Sequence, residues 1–326
     1  MSVPDPRFVF SDVASQDVED IATEGGGWSG RIVQVSRGVL DYRSRRLALA
    51  GIELRQHECN QVLATHWQNA LGAVSIVWGD PLAARASYYG HELRGDMVLC
   101  QHARREHRVR VPDGFRGWEI EVSAAVRSRR GWRVTLEPLR PVGRATRQAL
   151  DRLCEGAFAA AQRGASGNLG THALRDAVLD ALERLLPELV ADEHRTSVFP
   201  VSMHAQRELI RAAIQTMGRA ATRGDAVRVG SVARHLGVSE RSLYLAFQDQ
   251  LGVGPYAIHQ LDQLHRFREA LALSHGGRGS VTSAAASVGF GDPARLARVY
   301  RRQFGESPRQ TLARWAGQKP RRFRAS

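Results

Sequence analysis

The C-terminal third of the sequence repeats itself. Leu243, Phe247, Leu251, Gly252 and Pro255 recur as Leu296, Tyr300, Phe304, Gly305 and Pro308, each pair 53 positions apart. Upstream, Ala233, Leu236 and Gly237 match Ala285, Val288 and Gly289 at a separation of 52, so the second copy carries one extra turn residue. Each copy predicts a short helix, a glycine-containing turn and a longer helix. Ser239 caps the first longer helix, and Asp292 caps the second, with Pro293 at its first helical position. Two helices joined by a tight glycine turn form a helix-turn-helix, whose second helix fits the DNA major groove.

The spacing within the longer helices separates two faces. Leu243, Phe247 and Leu251 turn inward, which leaves Arg241, Tyr244 and Gln248 on the opposite face with Leu245 beside them. In the second copy Leu296, Tyr300 and Phe304 turn inward, and Arg295, Arg298 and Arg302 form the outward stripe. A lone surface arginine is ordinarily a solvated charge. Three on one stripe of a recognition helix favour DNA contact, because the guanidinium fork matches guanine O6/N7 or a phosphate. Residues 255–274 predict a spacer helix through Ile258, Leu261, Leu264, Phe267 and Leu271, leaving two reading helices to address groove segments about 34 Å apart. The loop Gly276-Gly277-Arg278-Gly279 that follows lacks a phosphate-binding lysine.

Charge supports that reading by its position. The 326 residues carry 46 basic and 33 acidic side chains, net +13. Residues 201–326 hold 20 of the basic and 8 of the acidic ones, net +12, so the excess coincides with the repeat. All but Lys319 of the basic residues are arginine, a bias that genome composition alone produces.

The first half is patterned differently. Residues 47–54 alternate apolar and polar, with a slip at Ala50-Gly51 that reads as a bulge or a turn. Further short strands are expected at 73–78, 85–89, 96–100, 107–111 and 117–124, separated by Gly, Pro and Asp turn signals, a spacing that favours a sandwich or small barrel. From Arg144 the period becomes helical, over 144–162 and 171–186, with Thr171 as the expected N-cap. The stripe from Leu174 to Leu185 suits either a dimer contact or packing on its own domain. Trp28, Trp67, Trp78, Trp118 and Trp132 all lie in this half and suit a core or a ligand pocket.

At the repeat the sequence resembles the AraC/XylS family of bacterial transcription regulators, over about Met203 to Trp315. Val232-Ala233, Gly237-Val238-Ser239 and Leu243 carry the likeness in copy one. Val288-Gly289-Phe290 through Phe304-Gly305-Glu306-Ser307-Pro308 carry it in copy two. The resemblance implies an α+β chain: an N-terminal β-barrel or cupin-like sensor with trailing helices, then an all-α domain with tandem helix-turn-helix units. The expected division is 1–186 for the sensor (β-rich to about 142, helical after), 187–202 for a linker, 203–316 for the DNA-binding domain and 317–326 for a basic tail. Family pattern makes Arg241, Tyr244 and Leu245, with Ala294, Arg295 and Arg298, base-proximal. The full candidate DNA-contact set is Ser239, Arg241, Ser242, Tyr244, Leu245, Gln248, Ala294, Arg295, Arg298, Arg301 and Arg302. Leu245 departs from the family, which often has arginine there.

The expected partners are double-stranded promoter DNA, RNA polymerase, a small-molecule effector and a second copy of the chain. The expected role is activation rather than repression, in the bacterial cytoplasm, associated with the nucleoid when bound. No cofactor, metal or catalytic residue is expected: His57-Glu58-Cys59 and Cys100, His102, His107 lack metal-ligand spacing, and no catalytic elbow or dinucleotide fingerprint occurs. No apolar run reaches membrane length, the start lacks signal-peptide character, and three scattered cysteines argue against a disulfide scaffold. Two alternatives are an architectural DNA-binding protein without ligand control and an enzyme fused to a DNA-binding domain. A β-rich half with net charge near zero opposes the first, and the lack of catalytic constellations opposes the second.

Overall fold

The slip at Ala50-Gly51 is a two-residue turn. It joins β3 (Tyr42–Leu49) to β4 (Ile52–Cys59), with Leu49 opposite Ile52 and Leu47 opposite Leu54. Strand alternation therefore sends all four leucine and isoleucine side chains to one face. The computed structural model describes residues 9–24, 29–68, 72–80, 86–93, 97–102, 107–132, 139–163, 168–189, 201–223, 225–273, 280–288 and 292–315.

Ten further strands complete two antiparallel sheets: β1 (Val9–Ser15), β2 (Ser29–Gln34), β5 (Leu63–Gln68), β6 (Val74–Gly79), β7 (Ser87–Tyr88), β8 (His91–Glu92), β9 (Met97–His102), β10 (His107–Val111), β11 (Phe115–Val122) and β12 (Leu139–Pro141). The first sheet runs β1-β3-β4-β11-β6-β9-β12 and the second β2-β5-β10-β7-β8. This corrects the expected barrel: among the described residues no strand of one sheet pairs with the other, so the sheets are stacked and not closed. The sequence pattern is shared by both architectures, because facing apolar sides are needed in each and only edge pairing distinguishes them.

Three layers of apolar contact follow. The outer face of the first sheet, with Leu54, Trp78 and Ile120, packs on α3 (Arg144–Gln162) and α4 (Asn168–Leu189) through Leu150, Phe158, Val178 and Leu182. The stripe from Leu174 to Leu185 thus packs on its own domain. Thr171 falls within α4, which begins at Asn168 and continues through Pro187. Trp78, Trp118 and Trp132 join this core, with Trp78 Nε1 donating to Asp151 at 2.8 Å. Between the sheets lies a second core of Ile32, Tyr42, Leu63, Leu99 and Val109, which also takes Val18 and Ile21 from the short helix α1 (Val18–Glu24). A single turn of helix, α2 (Ala124–Arg129), is capped by Ser123.

The C-terminal half contains α5 (Val201–Thr222), α6 (Val229–His235), α7 (Glu240–Leu251), α8 (Pro255–Leu273), α9 (Ser280–Ser287), α10 (Pro293–Phe304) and α11 (Pro308–Trp315). The expected spacer is α8. It contributes Ile258 and Leu261 to a core around Leu243 and Phe247, and Leu264, Phe267 and Leu271 to one around Leu296 and Tyr300. Phe247 and Phe267 are fully buried, each worth about 1.5–3 kcal/mol. Val33, Val35 and Ala64 of the second sheet and its margin pack into the first of these cores, so the sheet's outer face is the docking floor for the helical half. Among the described residues no helix is long and apolar enough to cross a membrane. Cys59, Cys100 and Cys154 are free and buried. The segments 190–200, 274–279 and 316–326, which include most of the expected linker, the glycine loop and the basic tail, lie outside the described residues.

Candidate nucleic-acid interface

α7 starts where Ser239 Oγ accepts the Ser242 N–H at 3.0 Å and stops at Gly252, whose φ of 72° is left-handed. α10 starts where Asp292 accepts the Arg295 N–H at 2.9 Å, with Pro293 behind it, and stops at Gly305 with φ 74°. These devices satisfy orphan N–H groups at one end and release the chain from the helix at the other. The repeat is therefore structural as well as sequential. The turn before α7 passes through Gly237; the second turn, with Gly289, lies outside the described residues.

The two faces separate as the spacing predicts. Leu243, Ala246, Phe247, Gln250 and Leu251 of α7 and Leu296, Tyr300, Gln303 and Phe304 of α10 are buried. Ser239, Arg241, Ser242, Tyr244, Leu245 and Gln248 are exposed, as are Ala294, Arg295, Arg298, Arg301 and Arg302. Tyr244 is 51% and Leu245 46% exposed, large apolar surface beside an arginine. Ser239 and Ser242 spend part of their hydrogen-bonding capacity on each other at 2.8 Å, and Gln248 Nε2 donates to the Gly252 carbonyl at 3.1 Å. Among the described residues none of the five arginines on the two helices forms an ion pair, which leaves their donors to an outside acceptor.

The opposite ends of both reading helices rest on the β half. A Cβ on Gly252 would meet Arg110 Nε at 2.7 Å, and one on Gly305 would meet Val39 Cγ2 at 2.7 Å. Glycine is needed at each twice over, for its backbone and for the close approach. Gln303 extends the second contact: its Nε2 donates to the carbonyls of Gln34 and Ser36, both at 2.9 Å, and its own carbonyl accepts the Gly38 N–H at 2.9 Å.

A buried polar cluster completes the junction. Asp17, fully buried before α1, accepts from Arg268 Nη2, from both Nη atoms of Arg314 (2.6 and 2.8 Å) and from Trp315 Nε1 at 2.9 Å. Glu306 shares Arg314 at 2.7 Å. Glu19 lies 3.4 Å from Arg268 Nε and 3.6 Å from His265 Nδ1. Burial opposes ionisation of Glu19, but Arg268 and His265 outweigh it and hold the carboxyl below its usual range. His265 Nε2 accepts the Gln34 N–H at 3.0 Å. Arg268 is also stacked 4.6 Å from the Phe304 ring centre. Arg31 on β2 pairs with Asp262 on α8 at 2.9 Å.

The space between the sheets is a cavity of about 140 Å³. The second sheet lines it with Ile32, Leu63, Val109 and Val111, and α1 with Ile21. The first sheet adds a polar patch of Arg55, His57 and Glu119. His57 Nδ1 is hydrogen-bonded to the Tyr42 hydroxyl at 2.7 Å and its Nε2 to Glu119 at 3.3 Å, while Arg55 Nη1 donates to Glu119 at 3.2 Å. Burial opposes the Glu119 charge, but Arg55, His57 and Ser75 bring its pKa down to about 2. Burial and the neighbouring Glu119 and Glu53 push Glu121 up to about 7. Among the described residues no group of three His, Cys, Asp or Glu is placed to hold a metal ion.

Sequence reading singled out none of Asp17, Glu19, Arg268, Gln303 or Arg314. Arg268 did leave a signal, since it lies four residues after Leu264 and three before Leu271, inside the apolar stripe of α8. A charge in that position needs a buried partner.

Residues 232–314 match the family described as helix-turn-helix domain. The chain is 30% identical over 163 residues to the regulatory protein HrpB of Ralstonia nicotianae, covering 48% of this chain and 34% of that protein. It is 36% identical over 84 residues to the probable thc operon regulatory protein of Rhodococcus erythropolis, covering 26% of this chain and 25% of that one. The chain thus spans about a third and a quarter of these relatives' lengths. Among solved structures, a probable AraC family transcriptional regulator from Rhodopseudomonas palustris CGA009 is 28% identical, covering 33% of this chain and 96% of that one, with a TM-score of 0.29.

Proposed function

We propose that the chain, whose residues 232–314 match a helix-turn-helix domain family, is an AraC-family DNA-binding transcription regulator, a sequence-specific, effector-responsive activator of promoters. The observation that carries the DNA-reading part is the outward face of α7 and α10: all eleven candidate contact residues are exposed while Leu243, Ala246 and Phe247, and Leu296 and Tyr300, between them are buried. Arg241, Arg295 and Arg298 take guanine edges or phosphates, Arg301 and Arg302 take phosphates, and Tyr244 and Leu245 contact thymine methyl groups. The net charge of +12 on residues 201–326 adds sequence-independent attraction to the duplex.

Effector control is supported by α1. Ile21 is a wall of the cavity, and Asp17 and Glu19, beside it in sequence, hold Arg268, Arg314 and His265 of the helical half. An effector that fits the cavity better when α1 is displaced shifts the population toward a state in which the reading helices are released from the sheet. Activation, a homodimer, contact with RNA polymerase and a cytoplasmic location belong to the same reading by family resemblance. Selection of bound fragments from random DNA tests it. Wild-type protein should enrich one motif with two half-sites about one helical turn apart; enrichment of no motif contradicts sequence-specific reading.

A further inference from the structure

We infer that the cavity between the sheets takes a small, uncharged, mostly apolar molecule bearing one hydrogen-bond acceptor that faces Arg55. The inference rests on the effector-responsive reading above and adds the chemistry of the effector. About 140 Å³ of space holds roughly ten water-sized atoms. Its second-sheet wall is aliphatic, and Thr65, the hydroxyl among these lining residues, is already spent on the Val109 carbonyl at 2.9 Å. An apolar body is therefore favoured over a polyol or sugar, whose hydroxyls would lose water without replacement.

The polar patch has one unmet need. Tyr42, His57 and Glu119 form a chain in which each link is made, and Arg55 Nη1 and Nε are given to Glu119 and Glu53. Arg55 is 4% exposed, yet its Nη2 has no hydrogen-bond partner. A buried guanidinium donor left in that state costs free energy that a ligand acceptor recovers. Charge then selects the acceptor. Arg46 and Arg55 face three carboxylates, Glu53, Glu119 and Glu121; burial, with added repulsion from Glu119 and Glu53, already raises Glu121 toward neutrality. An anionic head adds a further negative charge beside two arginines already paired with Glu53 and Glu119, and an ammonium head faces Arg55 while leaving Nη2 unpaired. A ketone, ester, ether or hydroxyl oxygen meets Nη2 without either cost.

Thermal melts of the full chain test this with two skeletons, a linear octyl chain and a phenylpropyl group. Each carries in turn a ketone or alcohol, a carboxylate and an ammonium. The neutral-head probes should stabilise the protein saturably, at concentrations at least tenfold below the charged ones. Val109→Trp, which fills the cavity, should abolish the shift. Arg55→Lys, which keeps the charge but not the second fork, should weaken it about tenfold; if that variant does not fold, the comparison of heads on the wild type decides alone. Equal or tighter binding of a carboxylate or ammonium overturns the head assignment and leaves effector control standing. A neutral-probe shift that survives Val109→Trp places the ligand elsewhere and also overturns it. No shift from any probe overturns the inference, and if Val109→Trp also leaves DNA affinity unchanged, effector control falls with it.

Discussion

Asp17 and Arg268 form a fully buried ion pair across the two halves of the chain, 251 positions apart. Neither is a surface bridge of marginal value: Asp17 has no exposed area and Arg268 has 2%. Desolvating both charges is costly, and the surrounding donors and acceptors, Arg314, Trp315 and Glu306, offset that cost. The pair therefore contributes chiefly to which docking arrangement is allowed. A slipped junction would leave an unpaired charge inside.

Asp17→Asn should cost the full chain about 3–5 kcal/mol, because buried Arg268 and half-buried Arg314 lose their shared counter-charge. Denaturant midpoints measure this. Combining it with Arg268→Met should recover part of the loss; strictly additive losses would mean the two residues do not interact.

Gly305→Ala should lower the full chain's melting temperature. The left-handed backbone costs an L-residue about 1–2 kcal/mol, and the new methyl must also displace Val39. A melting temperature equal to wild type would show that the α10 end is not seated on residues 38–39.

Arg298→Ala should weaken binding to the selected DNA motif by about 1–3 kcal/mol and leave random DNA unaffected, if the side chain reads a base edge. Equal loss on both reassigns Arg298 to a phosphate. Fluorescence anisotropy on the two duplexes separates these results.

Binding should also fall with salt, at a log–log slope of about −0.9 per phosphate neutralised. Titration between about 50 and 200 mM salt reads the slope. A flat response would sever the link between the charge excess and DNA.

Glu121 and Glu119 give opposite pH signatures. Glu121 binds its proton more tightly folded, with a pKa of about 7 against 4.5. Its protonated form is favoured by folding, so stability is full below about pH 4.5 and declines as pH rises through 7. Glu119, held at about 2, contributes stability above pH 4.5 that is lost as pH falls toward 2. Glu121→Gln should therefore match wild type near pH 4.5 and exceed it at pH 8 by on the order of 1–2 kcal/mol, allowing for solvent screening. A gain at pH 4.5 equal to that at pH 8 would reject the titration.

The reading helices were legible in the sequence because everything that defines them is local. Ser239 and Asp292 cap within three residues, Gly252 and Gly305 stop the helices, and Leu243 and Phe247 or Leu296 and Tyr300 set the inner face at helical spacing. The stripe Arg295, Arg298, Arg302 follows from the same geometry and lies exposed. The β half was less legible. β10 carries an alternating run and stood out, whereas β2 and β5 mix polar and apolar residues because their two faces meet different partners. β2 turns Ile32 toward the cavity and Val33 toward the helical half, which erases the usual contrast. Asp17 and Glu19 gave no signal at all: an acid is buried only if its cations arrive, and these come from α8 and α11. The stacked, unclosed sheets were hidden for a related reason, since an edge strand and a paired one share a pattern.

The seating of Gly252 on Arg110 and of Gly305 on Val39 places α8 under a second measure of length. The first measure is the pitch of the duplex, which sets how far apart two reading helices lie to enter successive grooves. The second is the interval on the β half between Arg110 of β10 and Val39 in the segment that follows β2. A residue inserted into α8 would turn everything after it by about 100° and advance it about 1.5 Å. Gly252 would stay on its arginine while Gly305 swung away from Val39 and Arg268 from Asp17. The interval between the copies is thus fixed even in molecules that are not on DNA, and chains that drift in that interval would lose their resting state before they lost their operator.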